Sequence, residues 1–488
     1  MRILIRADAS RDIGVGHVKR CLSLGQALTD CGAEVTLLTR LRDVDTRSMA
    51  AQAGIACTAL PDSDEAGGMV DAETTANHVA RDRTDWVIVD HYGIDEQWHR
   101  RVAEAGARIA AIDDLADRPL DASVLIDQNE ADHPSKYVSV LAASTPILGG
   151  PRFAMLSSAY ADAPRWQASG SVRSIGIFMG GTDAAAMSEV ALRACREHAG
   201  FEGPIEIATT SGNERLLVLR DLCEADPRTS LLVDAADLTR FFARHDLQIG
   251  AGGGATWERC CVGAPTLLLR CAPNQDAVIP ALVRRGVVRT VAPTKDRDTV
   301  AVGDALRELM TDAKLRATLS RRSLDTVDGL GARRVALYLL ADTLRVRPAT
   351  PSDGQLLHAW RNHPSTREMS ADTREIGMEE HLAWYTRALQ DPSRSLLVAM
   401  IGAVPVGSIR FDRLTGGELE VSLYLDPALH GLRLGTRLLA RGEQHMAARR
   451  GAPTEFIATV LDGNLGSRRL FASAGYRHIG DRWRKPAA

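Results

Sequence analysis

Gly14-Val15-Gly16-His17 follows a short apolar strand that ends in Arg6-Ala7-Asp8 and opens a segment with helical periodicity. Glycines let the backbone approach a ligand closely. The free N–H groups of a helix start favour an anion. Histidine as a residue type can take up and release a proton under ordinary conditions, and the positive end of a helix dipole favours a neutral ring, so a histidine here is a candidate general base. The same string also reads as a plain helix start with a solvated histidine. Three more loops sit at strand ends: Asp90-His91-Tyr92-Gly93, Asp113-Asp114 and Phe178-Met179-Gly180-Gly181-Thr182-Asp183. Paired aspartates often only cap helices. Four such loops at the carboxyl ends of strands nevertheless outline one cleft.

Further along, Gly250-Ala251-Gly252-Gly253-Gly254-Ala255-Thr256-Trp257-Glu258 runs from a strand through a glycine loop into a helix, and Asn274-Gln275 follows the next strand. A glycine loop at a helix start suits a diphosphate. Glu258, one turn in, can accept hydrogen bonds from ribose hydroxyls, or can simply be a first-turn carboxylate favoured by the helix dipole. Near the C-terminus, His430-Gly431-Leu432-Arg433-Leu434-Gly435-Thr436 is a second anion-ready loop between a strand and a helix. Glu420 lies on the strand before it and is the candidate base there, or else a surface carboxylate.

These loops need elements to hold them. Strands at Ile3–Ile5, Val35–Leu38, Trp86–Val89, Ile109–Ile112 and Val124–Ile126 alternate with helical stretches such as Val18–Leu28 and Gln97–Ala105. A second set of strands begins at Ser174–Met179 and continues at Ile205–Ala208, Leu231–Val233, Leu247–Ile249 and Pro265–Leu269. Strand-helix alternation implies parallel sheets. The expected architecture is α/β: a Rossmann-like domain over 1–150, a second over 151–342 joined through Gly149–Trp166, and an α+β domain over 343–488. One helix, Arg316–Ala341, is expected to close the second domain. In the last domain, Leu396–Ile401 and Val404–Phe411 read as a hairpin and Glu418–Leu425 as a strand. A helix runs on through Ala448, Phe456–Val460 is a further strand, and Gly466–Ala474 is a helix.

At 488 residues the length fits about three domains. A formal net charge of −3 gives no general attraction to polyanions, so nucleic acid is not an expected partner. No apolar run reaches membrane-span length, and the N-terminus reads as a strand rather than a leader, so a cytoplasmic location is expected. The eight cysteines include no C-x-x-C pair, so no zinc or redox motif is expected and reduced thiols are.

Over the first 340 or so residues the chain resembles the nucleotide-sugar hydrolases of pseudaminic acid biosynthesis. The match lies in Arg6-Ala-Asp8, Gly14-Val-Gly16-His17-Val-Lys19-Arg20, Asp90-His-Tyr92-Gly93, Asp113-Asp114, Gly180-Gly181-Thr-Asp183, Gly250 to Glu258 and Asn274-Gln275. The resemblance implies a two-Rossmann GT-B architecture. It implies removal of UDP from UDP-2,4-diacetamido-2,4,6-trideoxy-β-L-altropyranose by water attack at the anomeric carbon, with inversion. By the same resemblance His17 activates the water, Tyr92 sits near the sugar, and Asn274, Gln275 and Glu258 hold the UDP. Arg6, Asp8, Gly14, Gly16, Lys19, Gly180, Gly181, Gly252 and Gly253 complete the expected substrate site. No metal is expected.

The last 145 or so residues resemble the GNAT acetyltransferases, with acetyl-CoA as co-substrate. Leu425, Gly431, Arg433, Leu434, Gly435, Thr436, Asn464 and Ser467 are the positions expected at the cofactor. Three departures stand out. His430 occupies a position where the family commonly has Gln or Arg. Arg433 occupies a position where the family commonly has glycine. Phe471 replaces the tyrosine that many members use to protonate the thiolate, which phenylalanine cannot do. Trp360-Arg361-Asn362, His381 and Trp384 resemble the subfamily acting on the 4-amino group of UDP-4-amino-sugars, although the two tryptophans also read as core aromatics. Expected partners are the UDP-sugar, acetyl-CoA and other enzymes of that pathway. Alternatives are the same two chemistries on another UDP-diamino sugar, a GT-B transferase, or a C-terminal module that binds acyl-CoA without catalysis.

Overall fold

The computed structural model of the chain describes residues 1–10, 13–61, 66–129, 135–292, 294–448 and 453–487, with Asn274 in its backbone only. Its contacts divide it into two compact units, Met1–Thr29 with Glu34–Val335, and Asp30–Ala33 with Ala336–Ala488.

The first unit holds two parallel sheets. One comprises β1 (Arg2–Ala7), β2 (Glu34–Arg40), β3 (Ala56–Leu60), β4 (Trp86–Asp90), β5 (Arg108–Ile112), β6 (Val124–Asp127) and β7 (Ile147–Gly149), in the order β3-β2-β1-β4-β5-β6-β7. The other comprises β8 (Ile175–Phe178), β9 (Ile205–Thr209), β10 (Thr229–Val233), β11 (Leu247–Ala251), β12 (Thr266–Leu269) and β13 (Arg289–Thr290), in the order β10-β9-β8-β11-β12-β13. Runs such as Val87-Ile88-Val89 are buried on both faces, as parallel strands covered by helices require. The helix Gly16–Asp30 buries Val18, Cys21, Leu22, Leu24, Gly25 and Leu28, a single stripe at helical spacing.

The order of winding reverses between β1 and β4 and again between β8 and β11. Ligands of open α/β sheets bind at such reversals, outside the strand carboxyl ends. Register makes this concrete: Ala7 pairs with Asp90, and Phe178 pairs with Gly250. The loops that carry the motifs therefore leave adjacent strand ends.

The expected closing helix is instead two, Ala313–Thr326 and Gly331–Leu339. Gly329 breaks them. It adopts φ +82°, and a Cβ there would come within about 3 Å of the Tyr160–Ala161 backbone. The edge strands β3, β7 and β13 and the helix Met69–Asp82 were not anticipated. β3 is Ala-Cys-Thr-Ala-Leu and β7 has three residues, so neither carries an apolar period.

The second unit has a seven-stranded sheet: β14 (Arg345–Pro348), β15 (Arg394–Ile401), β16 (Val404–Arg413), β17 (Leu419–Leu425), β18 (Glu455–Ala458), β19 (Arg477–Ile479) and β20 (Arg482–Pro486). Its order is β14-β15-β16-β17-β18-β20-β19. β17 and β18 are parallel and pair only at Leu419 with Phe456 and Glu420 with Ile457. Beyond Glu420 the two strands part. Among the described residues no helix is long and apolar enough to cross a membrane.

Candidate functional site

His17 stands in the first turn of the helix Gly16–Asp30, after a loop in which Gly14 takes φ +81°. Its Nδ1 lies 2.6 Å from Oδ1 of Asp90, the last residue of β4. Arg20, one turn along the same helix face, donates from Nε to Asp90 Oδ2 at 2.5 Å and from Nη2 to Oδ1 at 2.6 Å. Burial alone would raise the Asp90 pKa, but the Arg20 charge, with the hydrogen bonds from Arg20 and His17, holds it well below the usual carboxylate range. A fixed carboxylate accepting from Nδ1–H leaves Nε2 with the lone pair. Asp90 thus bears on which ring nitrogen carries the proton, while the helix dipole bears on the charge of the ring.

Tyr92 meets the His17 ring edge to face at 4.8 Å and donates its hydroxyl to Asp114 Oδ1 at 2.9 Å. Asp114 Oδ2 accepts from Asn129 Nδ2 at 2.6 Å, and Asn129 Oδ1 accepts from Trp257 Nε1 at 2.9 Å. Burial, first, pushes the Asp114 pKa up and the Tyr92 pKa further up, so the phenol stays protonated.

In the second sheet, Gly253 and Gly254 face open space, and the helix Ala255–Val262 has no side-chain cap on its first turn. These N–H groups can serve an anion. Glu258 accepts from Tyr160 Oη at 2.9 Å. Burial raises its pKa, opposed by Lys19 of the first domain and by Tyr160. Lys19 and Glu258 are thus within electrostatic reach of one another. Gln275 Oε1 accepts from Cys271 N at 2.9 Å and from Gly252 N at 3.3 Å, clamping two loops together. Gly181 gives its carbonyl to the Thr209 and Thr210 hydroxyls, beside Gly180 at φ +99°. Asp183 caps the helix at Met187 and Ser188. The Asn274 side chain lies outside the described residues.

Arg6 and Asp8, expected at the substrate, are placed otherwise. Both are shut inside the protein. Arg6 donates to Asp8 Oδ1 at 2.6 Å and Oδ2 at 2.8 Å, and to Asp71 at 2.7 Å. Arg40 adds its backbone N–H to Asp8 and its guanidinium to Asp71. The Arg-x-Asp spacing puts both side chains on one strand face, where they satisfy each other instead of a ligand. Asp90, Arg20 and Asp114 stand in the motif loops with no role assigned from the sequence, and Asn129 stands in none of them. Arg20 at three residues from His17 was the available signal; the others meet only through sheet register.

In the second unit, Gly431 at φ +83° and Arg433 at φ +57° shape the loop before the helix Leu434–Ala447, whose first turn, including Thr436, lacks a side-chain cap. The Arg433 side chain is exposed. A Cβ on Gly435 would stand 2.6 Å from Leu470 Cδ1, so this glycine serves helix packing. Asn464 caps the helix Leu465–Ser473 by accepting from Ser467 N at 2.9 Å. Glu420 accepts from Thr459 Oγ1 at 2.9 Å where β17 and β18 part, and Leu425 ends β17. The gap between these strands and the uncapped helix start together fit an extended thioester cofactor with a diphosphate.

A small pocket beside β17 is lined by His381, Trp384, Arg410, Ser422 and Tyr424, among others. Burial pushes the Tyr424 phenol up to about 12. Trp360 is in the core and Asn362 spends its amide on both backbone groups of Ile376. Arg361 donates to the Asp372 carbonyl at 2.7 Å. Of the residues expected at the acceptor, His381 and Trp384 therefore line a pocket while Trp360 and Asn362 hold structure. Phe471 is buried edge to face against Tyr476, at 4.9 Å. Among the described residues, no group of three or more His, Cys, Asp or Glu is placed to hold a metal.

Residues 357–476 match the Acetyltransferase (GNAT) family. The C-terminal part is a GNAT domain. The chain is similar to the UDP-2,4-diacetamido-2,4,6-trideoxy-beta-L-altropyranose hydrolase of Campylobacter jejuni, 22% identical over 287 residues, 59% of this chain and 97% of that protein. It is also similar to acetyltransferase PseH of Campylobacter jejuni, 32% identical over 78 residues, which are 16% of this chain and 49% of that protein. The S. aureus MnaA-UDP structure matches with a TM-score of 0.51 at 13% identity, covering 69% of this chain and 95% of that one. The expected architecture is the one found: a GT-B-like pair of Rossmann-type domains, then a GNAT domain.

Proposed function

We propose that this chain performs two consecutive steps on one UDP-sugar. The GNAT domain, over 343–488, transfers acetyl from acetyl-CoA to the 4-amino group of UDP-4-amino-4,6-dideoxy-N-acetyl-β-L-altrosamine. The two Rossmann-type domains, over 1–150 and 151–342, then hydrolyse UDP-2,4-diacetamido-2,4,6-trideoxy-β-L-altropyranose to free sugar and UDP. The observation that carries the hydrolase reading is the His17–Asp90 pair at the first winding reversal. His17 Nε2 takes a proton from water as its oxygen attacks the anomeric carbon. The anomeric C–O bond breaks with inversion, and its electrons leave with UDP. UDP is a good leaving group, so a paired general acid is less needed than in ordinary glycoside hydrolysis. The open N–H groups at Gly253 and Gly254 receive the diphosphate charge, Glu258 and Gln275 hold the nucleoside, and Tyr92 flanks the sugar.

In the GNAT domain, bound acetyl-CoA supplies an activated acetyl thioester. Glu420 is positioned by Thr459 to take the proton of the attacking amine, through water where needed. The loop from Gly431 to Thr436 receives the cofactor diphosphate. Both substrates are cytoplasmic metabolites, and we place the protein there.

The test is to incubate the protein with the 4-amino precursor and acetyl-CoA in ¹⁸O-water and analyse products by mass and NMR. Free diacetamido sugar carrying one ¹⁸O is the expected product. Label in UDP would overturn C–O cleavage, and sugar transfer to an acceptor in place of water would favour a transferase.

A further inference from the structure

The Rossmann-type domains share a line of polar contacts that reaches the His17 ring. Trp257 immediately precedes Glu258 in the first turn of the helix Ala255–Val262, where the glycine loop ends. Its indole is buried, yet its one N–H crosses to the first domain and meets Asn129 Oδ1 at 2.9 Å. The Asn129 amide turns its other end to Asp114 Oδ2 at 2.6 Å. Asp114 Oδ1 fixes the Tyr92 hydroxyl at 2.9 Å, and the Tyr92 ring edge abuts His17 at 4.8 Å. Each group has its roles fixed by chemistry. Indole N–H only donates, an ionised carboxylate only accepts, and an amide can accept from the one and donate to the other. The Asn129 backbone N–H is itself held by Asp127 Oδ1 at 2.9 Å, so the amide is aimed from a rigid strand end.

We infer that Asn129 is a positioning residue that couples nucleotide occupancy of the second domain to the orientation of Tyr92 and His17. This rests on the hydrolase reading above. A nucleoside diphosphate on the glycine loop and Glu258 bears on the helix that carries Trp257. Through Asn129 that helix sets Asp114, and Asp114 sets the aromatic wall against the base. An empty second domain would leave the base less well placed, so water would be activated chiefly when UDP-sugar is bound.

Three variants test this on the full chain: Asn129→Ala, Trp257→Phe, which removes the indole donor together with part of a buried ring, and the double substitution. Misplacing a catalytic group by an ångström costs up to about 100-fold. Each single variant should lose about tenfold or more in kcat, with UDP affinity by calorimetry within about threefold. The double variant should be no worse than the poorer single one, because both cut one line. Losses that multiply, or kcat within about twofold of wild type in both single variants, would overturn the coupling. A second readout does not need turnover. UDP should shift the His17 Cε1–H NMR signal in wild type, and that shift should vanish in Trp257→Phe. An equal shift in both, or none in wild type that binds UDP, would also overturn it. Wild type that fails to cleave the UDP-sugar, but shows the shift and its loss, would instead sink the hydrolase reading and leave the coupling standing.

Discussion

Asp90→Asn should separate chemistry from binding. The Asp90 carboxylate is fully buried and meets four donors: His17 Nδ1 at 2.6 Å, Arg20 Nε at 2.5 Å, Arg20 Nη2 at 2.6 Å and the Cys21 thiol at 3.5 Å. An asparagine amide has one acceptor oxygen and an NH₂ that must face a donor whichever way it turns. With NH₂ toward His17, Nδ1 must carry the lone pair and Nε2 the proton, and the base is lost. With NH₂ toward Arg20, a buried guanidinium loses its anion. Loss of a positioned base costs about 10²–10⁴-fold in rate, or roughly 3–5 kcal/mol of barrier. Breaking a buried ion pair costs roughly 3–5 kcal/mol of stability, against a typical total of about 5–15. The variant should therefore fold at 25 °C with a clearly lower Tm. Asp90 is held below its unfolded pKa, so its stabilisation is fully present above the ordinary carboxylate range and lost only as pH falls through and below it. The Tm gap should thus be steady from about pH 8 to about 6, where an unfolded aspartate is already ionised. The assay is UDP release under saturating substrate, with UDP binding by calorimetry alongside. A kcat within about threefold of wild type, in protein that still binds UDP, would refute the assignment of Asp90 as the group that sets the His17 tautomer.

Other outcomes follow from single residues. His17→Phe should abolish turnover while UDP affinity stays within about threefold, since the base contributes about 10²–10⁴-fold; measurable turnover near wild type would remove His17 from the chemistry. Arg433→Gly should raise Tm by an amount equal to about 1 kcal/mol, because φ +57° is costly for a residue with a Cβ; an unchanged or lower Tm would show that the loop carries no such strain. Gly435→Ala should change Tm by no more than a few degrees, because the new methyl would stand 2.6 Å from Leu470 Cδ1, the free end of a half-buried side chain that can turn away; a larger drop would show that Leu470 is locked in place. Burial, first, holds His91 and His99 at about 4, below the unfolded value of 6.5. The unfolded chain then binds more protons between those pH values, so stability is full above about pH 6.5 and lost as pH falls towards about 4, by up to about 3 kcal/mol per histidine. Urea unfolding at pH 7 and pH 5 should show that loss, and replacing His99 with Asn should reduce it.

The order of strands and helices and the glycine loops ahead of helices were legible in the chain because they are local. Apolar runs buried on both faces, such as Val87-Ile88-Val89, mark parallel strands, and glycines before a helix mark open N–H groups. The short edges β3, β7 and β13 escaped because a strand of three residues, or one of small residues, has no period to read. The helix expected over Arg316–Ala341 escaped for a different reason: Gly329 breaks it by a left-handed backbone pressed against Ala161, a contact made only in the folded chain.

His17 could be named from its own loop as a residue able to do chemistry. What makes it a base is Asp90, which is 73 residues away and reaches it because β1 and β4 are neighbours with Ala7 opposite Asp90. The same tertiary register took Arg6 and Asp8 out of the cleft and into a buried ion cluster. It also brought Asn129 across to Trp257 from 128 positions away. Residue type and spacing determine which chemistry is available along this chain. Only sheet order decides which groups meet, because a hydrogen bond depends on tenths of an ångström and a one-dimensional spacing carries no such distance.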